Sequence, residues 1–170
     1  MIATPVVIGL GGNVGDVLAA FRQALVALDQ SDGVRVVAVS SLLQTAPVGG
    51  PEQDYFFNAA ALLRVALDPP ALHQILQAVE QTAARVRQER WGPRTLDLDV
   101  LWWDNRTIVS SDLVVPHPRL GERRFALQPL VELVPEAVAA NGQRFADILA
   151  GLPDEGVEVV GGSTLVYDPS

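Results

Sequence analysis

The sequence predicts an α+β fold, a β-α-β-β-α-β core whose helices pack on a mainly antiparallel sheet, followed by a C-terminal extension. Three observations carry this. Two long segments, one after Asp16 and one after Pro70, repeat apolar residues at helical spacing. Strand-like runs flank each of them in the order of two split β-α-β units, the ferredoxin-like arrangement. The chain of 170 residues, 49% hydrophobic and 19% charged, suits one globular domain over 1–170, with a core of about 6–135 and an extension over 136–170.

The elements follow in order. Val6–Leu10 is an apolar run ended by Gly11-Gly12-Asn13, so it reads as a buried strand. The stretch Gly9–Val14 begins like a dinucleotide fingerprint but lacks its last glycine, and reads instead as a tight turn with close backbone approach. A helix starts near Asp16, with Leu18, Phe21, Leu25 and Leu28 on one face, and Asp32-Gly33 stops it. Val34–Leu43 is β-branched and reads as a single strand, and Thr45–Asp54, with two prolines and two glycines, as a loop. Phe56–Leu67 reads as the next strand, closed by Asp68-Pro69-Pro70. The second helix presents Leu72, Ile75, Leu76, Val79, Ala83 and Val86 on one face. Leu96–Trp103 alternates as a strand, and Arg106–Val109 reads as its short partner across Asp104-Asn105. Phe125–Leu133 and Phe145–Leu149 read as short helices, and Val157–Val160 as an edge strand.

Composition removes several function classes. There is no cysteine, which excludes disulfides, thiolate nucleophiles and cysteine-based zinc sites. A net charge of −8 argues against a general nucleic-acid binder. The N-terminus has no basic region, and Val6–Leu10 is too short for a signal core or a membrane span, so a cytoplasmic location is expected. There is no G-x-S-x-G for a serine hydrolase, and no Walker A loop in a chain without lysine. The charge is uneven. Residues 85–124 hold eight arginines and six acids, a balance of +2, whereas the rest of the chain stands at −10. Such an island is either a solvated basic face or a site for an anion.

The most informative segment is Arg94–Val100. On a strand, Asp97 and Asp99 project from one face while Leu96, Leu98 and Val100 take the other. Two carboxylates this close repel unless a cation lies between them. Their oxygens suit Mg²⁺, which takes a couple of carboxylates and completes its shell with waters and phosphate oxygens. The alternative is an exposed strand face with two solvated acids. Arg90, Trp91 and Arg94 lie in the connection that leads into this strand, and arginine grips phosphate bidentately. Arg85 and Arg87 end the second helix, where the helix dipole alone also favours them. His117 lies in the rigid turn Pro116–Pro118 with Arg119, Arg123 and Arg124 close behind, so it is either structural or a phosphate contact. His73, on the apolar side of a helix, has no such company.

These residues resemble a known family. Arg90-Trp91-Gly92-Pro93-Arg94-Thr95-Leu96-Asp97-Leu98-Asp99 is similar to the signature of 6-hydroxymethyl-7,8-dihydropterin pyrophosphokinases, enzymes of folate biosynthesis. Gly11-Gly12-Asn13, Thr45-Ala46-Pro47-Val48, Phe57-Asn58-Ala59, the pair Glu80 and Arg85, and Val115–Pro118 with Arg123, Phe125 and Pro129-Leu130 extend the match over about Val6 to Pro135. The family's fold is ferredoxin-like. The resemblance implies transfer of a pyrophosphoryl group from ATP to the pterin hydroxymethyl, with release of AMP. It implies two Mg²⁺ held by Asp97 and Asp99, and phosphate contacts from Arg85, Arg94 and Arg123. Gln77, Glu80, Arg87, Arg90, Trp91, Val100 and His117 would line or close the ATP site. The pterin would stack between Phe56, with Tyr55 beside it, and Phe125; Asn58, Asp97, Pro47 and the backbone around Thr45 and Val48 would read its edge. Loops 44–54 and 87–92 would be mobile covers. The expected partners are ATP and the pterin, acting on a monomer. A non-catalytic ferredoxin-like module binding a small anion would use the same arginines without needing the paired aspartates. Single-stranded RNA binding fails on net charge and on the lack of an aromatic pattern across the sheet.

Overall fold

A computed structural model describes residues 2–13, 15–45, 55–87, 96–154 and 156–167, with the side chains of 85–87 and 164–165 outside the description. Its core elements are β1 (Thr4–Gly12), α1 (Val17–Asp29), β2 (Val34–Val39), β3 (Leu42–Thr45), β4 (Phe56–Val65), α2 (Pro69–Arg87) and β5 (Asp97–Trp103). β6 (Ile108–Val109), β7 (Val114–Val115), α3 (Arg124–Leu133), α4 (Phe145–Ala150), β8 (Val157–Gly161) and α5 (Ser163–Val166) follow. The main sheet runs β5-β1-β4-β3-β8, with β2 pairing the later stretch of β4 and β3 the earlier one, and every pairing is antiparallel. This is the expected α+β, ferredoxin-like order: β1 lies between β4 and β5, and β2 with β3 forms the strand beyond β4.

Local signals set both long helices. The Asp16 carboxylate accepts from the Ala19 N–H at 3.0 Å, and Asp68 does the same for Ala71. Pro69 and Pro70 then occupy first-turn positions, where the missing N–H costs nothing. Both helices lie on one face of the sheet. There Phe21, Leu25, Leu28, Leu72 and Leu76 pack on Val6, Ile8 and Leu10 of β1 and Ala61, Leu63 and Val65 of β4. Val166 of α5 joins the same cluster.

The opposite face is covered in part by the described residues. Val7, Ala60, Leu101 and Trp102 meet Leu120, Leu127, Leu130, Ala137 and Phe145 from α3, α4 and the turn before them. Trp102 and Trp103, adjacent on β5, are 3% and 1% exposed, on opposite sides of the sheet. Among the described residues no helix is long and apolar enough to cross a membrane.

Several boundaries differ from the sequence reading. The run Val34–Leu43 is not one strand; it breaks at Ser40-Ser41 into β2 and β3, and Thr45 ends a strand rather than opening a loop. Gly11 and Gly12, read as ending the strand, lie within β1 with Gly9. Ile108–Val109 pairs with Val114–Val115 instead of β5. The turn after β5 closes with one bond, from Arg106 N–H to the Trp103 carbonyl at 2.8 Å. Asp104 and Asn105 take positive φ there, and the Asn105 Oδ1 accepts from both Trp102 Nε1 and Val138 N–H. The turn is therefore anchored to the chain before α4 and does not propagate a ladder. The edge strand β8 does form, on β3.

Phe21 is 0% exposed between α1 and the sheet. Phe21→Ala is expected to destabilise the fold by about 3–5 kcal/mol, read as a fall in the urea midpoint at unchanged slope.

Candidate active site

The uncovered part of the second sheet face is a cavity of about 710 Å³, within the range of small-molecule sites. Three strands form its floor. Across them, Asp97 of β5 pairs with Gly11 of β1, which pairs with Asn58 of β4. One step along, Asp99 pairs with Gly9, and Gly9 with Ala60. Both aspartates line the cavity, as their spacing on one strand requires; Asp97 is half-buried and Asp99 exposed. The register between β1 and β5 shifts past Asp99, which leaves Leu101 as an extra residue on this part of the floor.

The glycines keep the floor open. A Cβ on Gly11 would lie 3.0 Å from Asn58 Oδ1, and one on Gly9 would lie 3.2 Å from Leu101 Cδ1. Any side chain at position 11 would press on the Asn58 amide. The sequence reading ends the strand at Gly11 and so misses the role of this pair. The signal was present as glycine at alternate positions of a strand, but its meaning depends on which residues lie opposite.

One wall comes from Thr45 and Phe56, cross-strand partners at the ends of β3 and β4. Thr45 Oγ1 is buried without a hydrogen-bond partner among the described residues. Phe56 lines the cavity, whereas Tyr55 is not among its lining residues. The other side comes from His117, Leu120, Arg123, Phe125 and Ala126. The His117 N–H donates to the Leu101 carbonyl at 3.2 Å, which pins this segment to the floor. His117 Nδ1 accepts from the Arg119 N–H at 3.3 Å, so Nε2 is the ring atom left to donate. The Arg123 guanidinium lies 5.9 Å from the Phe125 ring centroid, within cation–π range.

Thr45, Phe56, Asn58, Asp97, Asp99, His117, Arg123 and Phe125 therefore meet in one cavity. Other expected residues do not line it. The Val100 side chain is 4% exposed in the core beneath the helices, which leaves only its backbone for a ligand. Gln77 is exposed on α2, and His73 is half-buried there. Glu80, also on α2, accepts the Leu98 N–H at 2.8 Å. Leu98 lies between the two aspartates on a strand whose outer edge has no further strand among the described residues, so Glu80 supplies the acceptor that a neighbouring strand would offer. Arg85 and Arg87 belong to α2, but their side chains lie outside the described residues, as do Pro47, Val48, Arg90, Trp91 and Arg94 and most of both cover loops.

Among the described residues no three His, Asp or Glu side chains gather as a metal cage. Two carboxylates on one strand face suit a hard cation that keeps most of its shell for water and phosphate, which is the habit of Mg²⁺. The cavity thus brings two flat apolar rings, Phe56 and Phe125, together with the carboxylates of Asp97 and Asp99, the His117 ring and the Arg123 guanidinium.

The model of the family described as 7,8-dihydro-6-hydroxymethylpterin-pyrophosphokinase (HPPK) matches residues 7–135. A "2-amino-4-hydroxy-6-hydroxymethyldihydropteridine pyrophosphokinase" of Methylorubrum extorquens is 39% identical over 90% of this chain and 96% of its own length. One of the same description from Pseudomonas aeruginosa is 38% identical over 93% of this chain and 98% of its own. Among solved structures, an HPPK-DHPS in complex with substrates superposes with a TM-score of 0.67 at 14% identity, over 88% of this chain and 43% of that one. At that identity the superposition speaks for the fold alone.

The Glu80 bond ties α2 to the strand that carries both aspartates. Glu80→Ala is expected to cost about 1–3 kcal/mol by leaving a part-buried N–H without its acceptor, and Glu80→Gln clearly less. Urea midpoints of the two variants check this; equal midpoints would show that the bond contributes nothing.

Proposed function

Since the chain belongs to the 7,8-dihydro-6-hydroxymethylpterin-pyrophosphokinase family, we propose that this cavity is where its ATP- and Mg²⁺-dependent pyrophosphoryl transfer takes place. The acceptor is a pterin, and the reaction belongs to folate biosynthesis. In the proposed step the hydroxymethyl oxygen of 6-hydroxymethyl-7,8-dihydropterin attacks the β-phosphorus of ATP in line. The bond from that phosphorus to the oxygen bridging to the α-phosphorus breaks. AMP leaves, and the hydroxyl proton is lost.

One observation carries this reading: the row Asp97–Gly11–Asn58 sets a carboxylate and an amide on either side of a floor with no side chain. A flat heteroaromatic ring fits over such a floor. Phe56 and Phe125 would stack on it. Asn58, with a donor and an acceptor on one group, would read its polar edge beside Asp97 and Thr45. The carboxylates of Asp97 and Asp99 would hold two Mg²⁺. Bound there, the ions supply charge neutralisation and a clamp on the attacking and leaving oxygens. Arg123 and His117 Nε2 would contact phosphate oxygens from the opposite side. Arg85, Arg94, Arg87, Arg90 and Trp91 would complete the ATP site by the family signature, with Gln77 and the Val100 backbone at its margin. Glu80 would act by holding β5. Catalysis would thus be positioning and charge compensation.

We further propose a single domain acting as a monomer. In support of the single domain, β8 of the C-terminal extension is hydrogen-bonded into the same sheet as β1.

Supplied with ATP, Mg²⁺ and the hydroxymethyl-dihydropterin, the protein is expected to produce AMP; ADP, or no turnover, would overturn the reading. Asp97→Ala and Asp99→Ala are each expected to lower kcat by at least about a hundredfold with unchanged far-UV circular dichroism; retained turnover would remove the metal assignment. Gly11→Ala is expected to raise the pterin KM about tenfold by displacing Asn58, with little change in the ATP KM, measured by steady-state kinetics.

A further inference from the structure

The segment joining β2 to β3 is one residue longer than the stretch of β4 it faces. Val39 pairs with Ala61 and Leu43 with Asn58, so four steps on one strand match three on the other. An insertion of this kind moves every later side chain to the opposite face. β2 already carries one register shift between Val36 and Ala38, and the second shift at Ser40-Ser41 reverses its effect. After it, Leu42 packs in the core under the helices, and Thr45, opposite Phe56, lines the cavity. Without the second insertion Thr45 would face the helices instead.

Two serines and one glutamate hold the insertion. Ser40, 0% exposed, donates its N–H to the Ala60 carbonyl at 2.8 Å, and its hydroxyl accepts the Ala60 N–H at 2.8 Å in place of a ladder carbonyl. The same hydroxyl donates to the Ser41 carbonyl at 2.9 Å. The Ser41 N–H, turned out of the ladder, donates to Glu132 at 2.9 Å to Oε2 and 3.2 Å to Oε1, and the Ser41 hydroxyl donates to Oε2 at 3.2 Å. Glu132 is in the last turn of α3, and the first turn of that helix carries Phe125 and Ala126 against the cavity.

We infer that Glu132 is a positioning residue for the pterin: by gripping Ser41 it locks α3 to the insertion and so sets Phe125 against the Thr45–Phe56 wall. The grip is charge-assisted and two-pronged, which fixes orientation as well as distance. It joins the two sides of the cavity from behind, without touching any ligand. The inference rests on the reading of this cavity as the pterin site.

The test measures pterin affinity in the presence of Mg²⁺ and a non-transferable ATP analogue, with steady-state kinetics alongside. Glu132→Ala is expected to raise the pterin Kd and KM about tenfold while the ATP KM stays within about twofold. Glu132→Gln keeps an acceptor for the Ser41 N–H and is expected to restore most of the affinity. An unchanged pterin Kd in Glu132→Ala, or equal rises in both KM values, overturns the inference. Should Glu132→Ala fail to fold, Ser41→Ala and Glu132→Asp decide: a rise of about threefold in each supports it, and no change in either rejects it. A wild-type chain that binds no pterin overturns the underlying reading, and this inference with it.

Discussion

Strand β1 is hydrogen-bonded along both edges, to β4 on one side and β5 on the other, and this double pairing fixes the geometry of the site. Asp97, Gly11 and Asn58 lie in one row because three strands share one register. A one-residue slip of either neighbour would turn its polar side chains into the core beneath the helices. The stability of the fold and the placement of the polar groups are therefore coupled. The apolar residues at 6, 8 and 10 of β1, buried under α1 and α2, hold the register that aligns the glycines at 9 and 11 on the other face.

The two faces of the sheet divide the work. One is covered by two long helices and is apolar across β1, β4 and β5. Among the described residues the other is covered only at one end, where α3 and α4 pack on Val7, Ala60 and Trp102. The uncovered end is where small residues on β1 meet polar ones on β4 and β5. Polar groups on this face stay within reach of water and escape the penalty of unpartnered burial. The edge position of β5 serves the same end, since Asp99 is exposed there while Leu98 and Val100 beside it are buried.

Much of this was legible in the residues alone. The helical spacing of Phe21, Leu25 and Leu28 and the alternation around Asp97 and Asp99 each report a local period, and local periods survive folding. Asp97, Asp99, Asn58, Phe56, Phe125, His117 and Arg123 were legible as a set only through the family resemblance, and the structure brings them to one cavity. The glycine floor was not legible, because the same glycines fit a turn equally well until their cross-strand partners are known. Nor was the break at Ser40-Ser41. Val34–Leu43 carries only the serine pair as a local hint of a break, and what holds that break is the Ser40 hydroxyl on Ala60 and a carboxylate 91 positions further along the chain. The partner of Ile108–Val109 was misread for a similar reason: Asn105 is held by Val138, and no local pattern announces that.

The burial of Trp102 and Trp103 has an optical consequence. The chain holds three tryptophans, and these two are sealed from solvent at 3% and 1% exposure. The third, Trp91, stands in the arginine-rich signature ahead of β5. Two indoles shielded on opposite sides of the sheet give a steady emission background. The unmodified protein thus carries its own fluorophore at the signature segment, and the proposed contact of Trp91 with nucleotide can be read from the intrinsic emission without any introduced label.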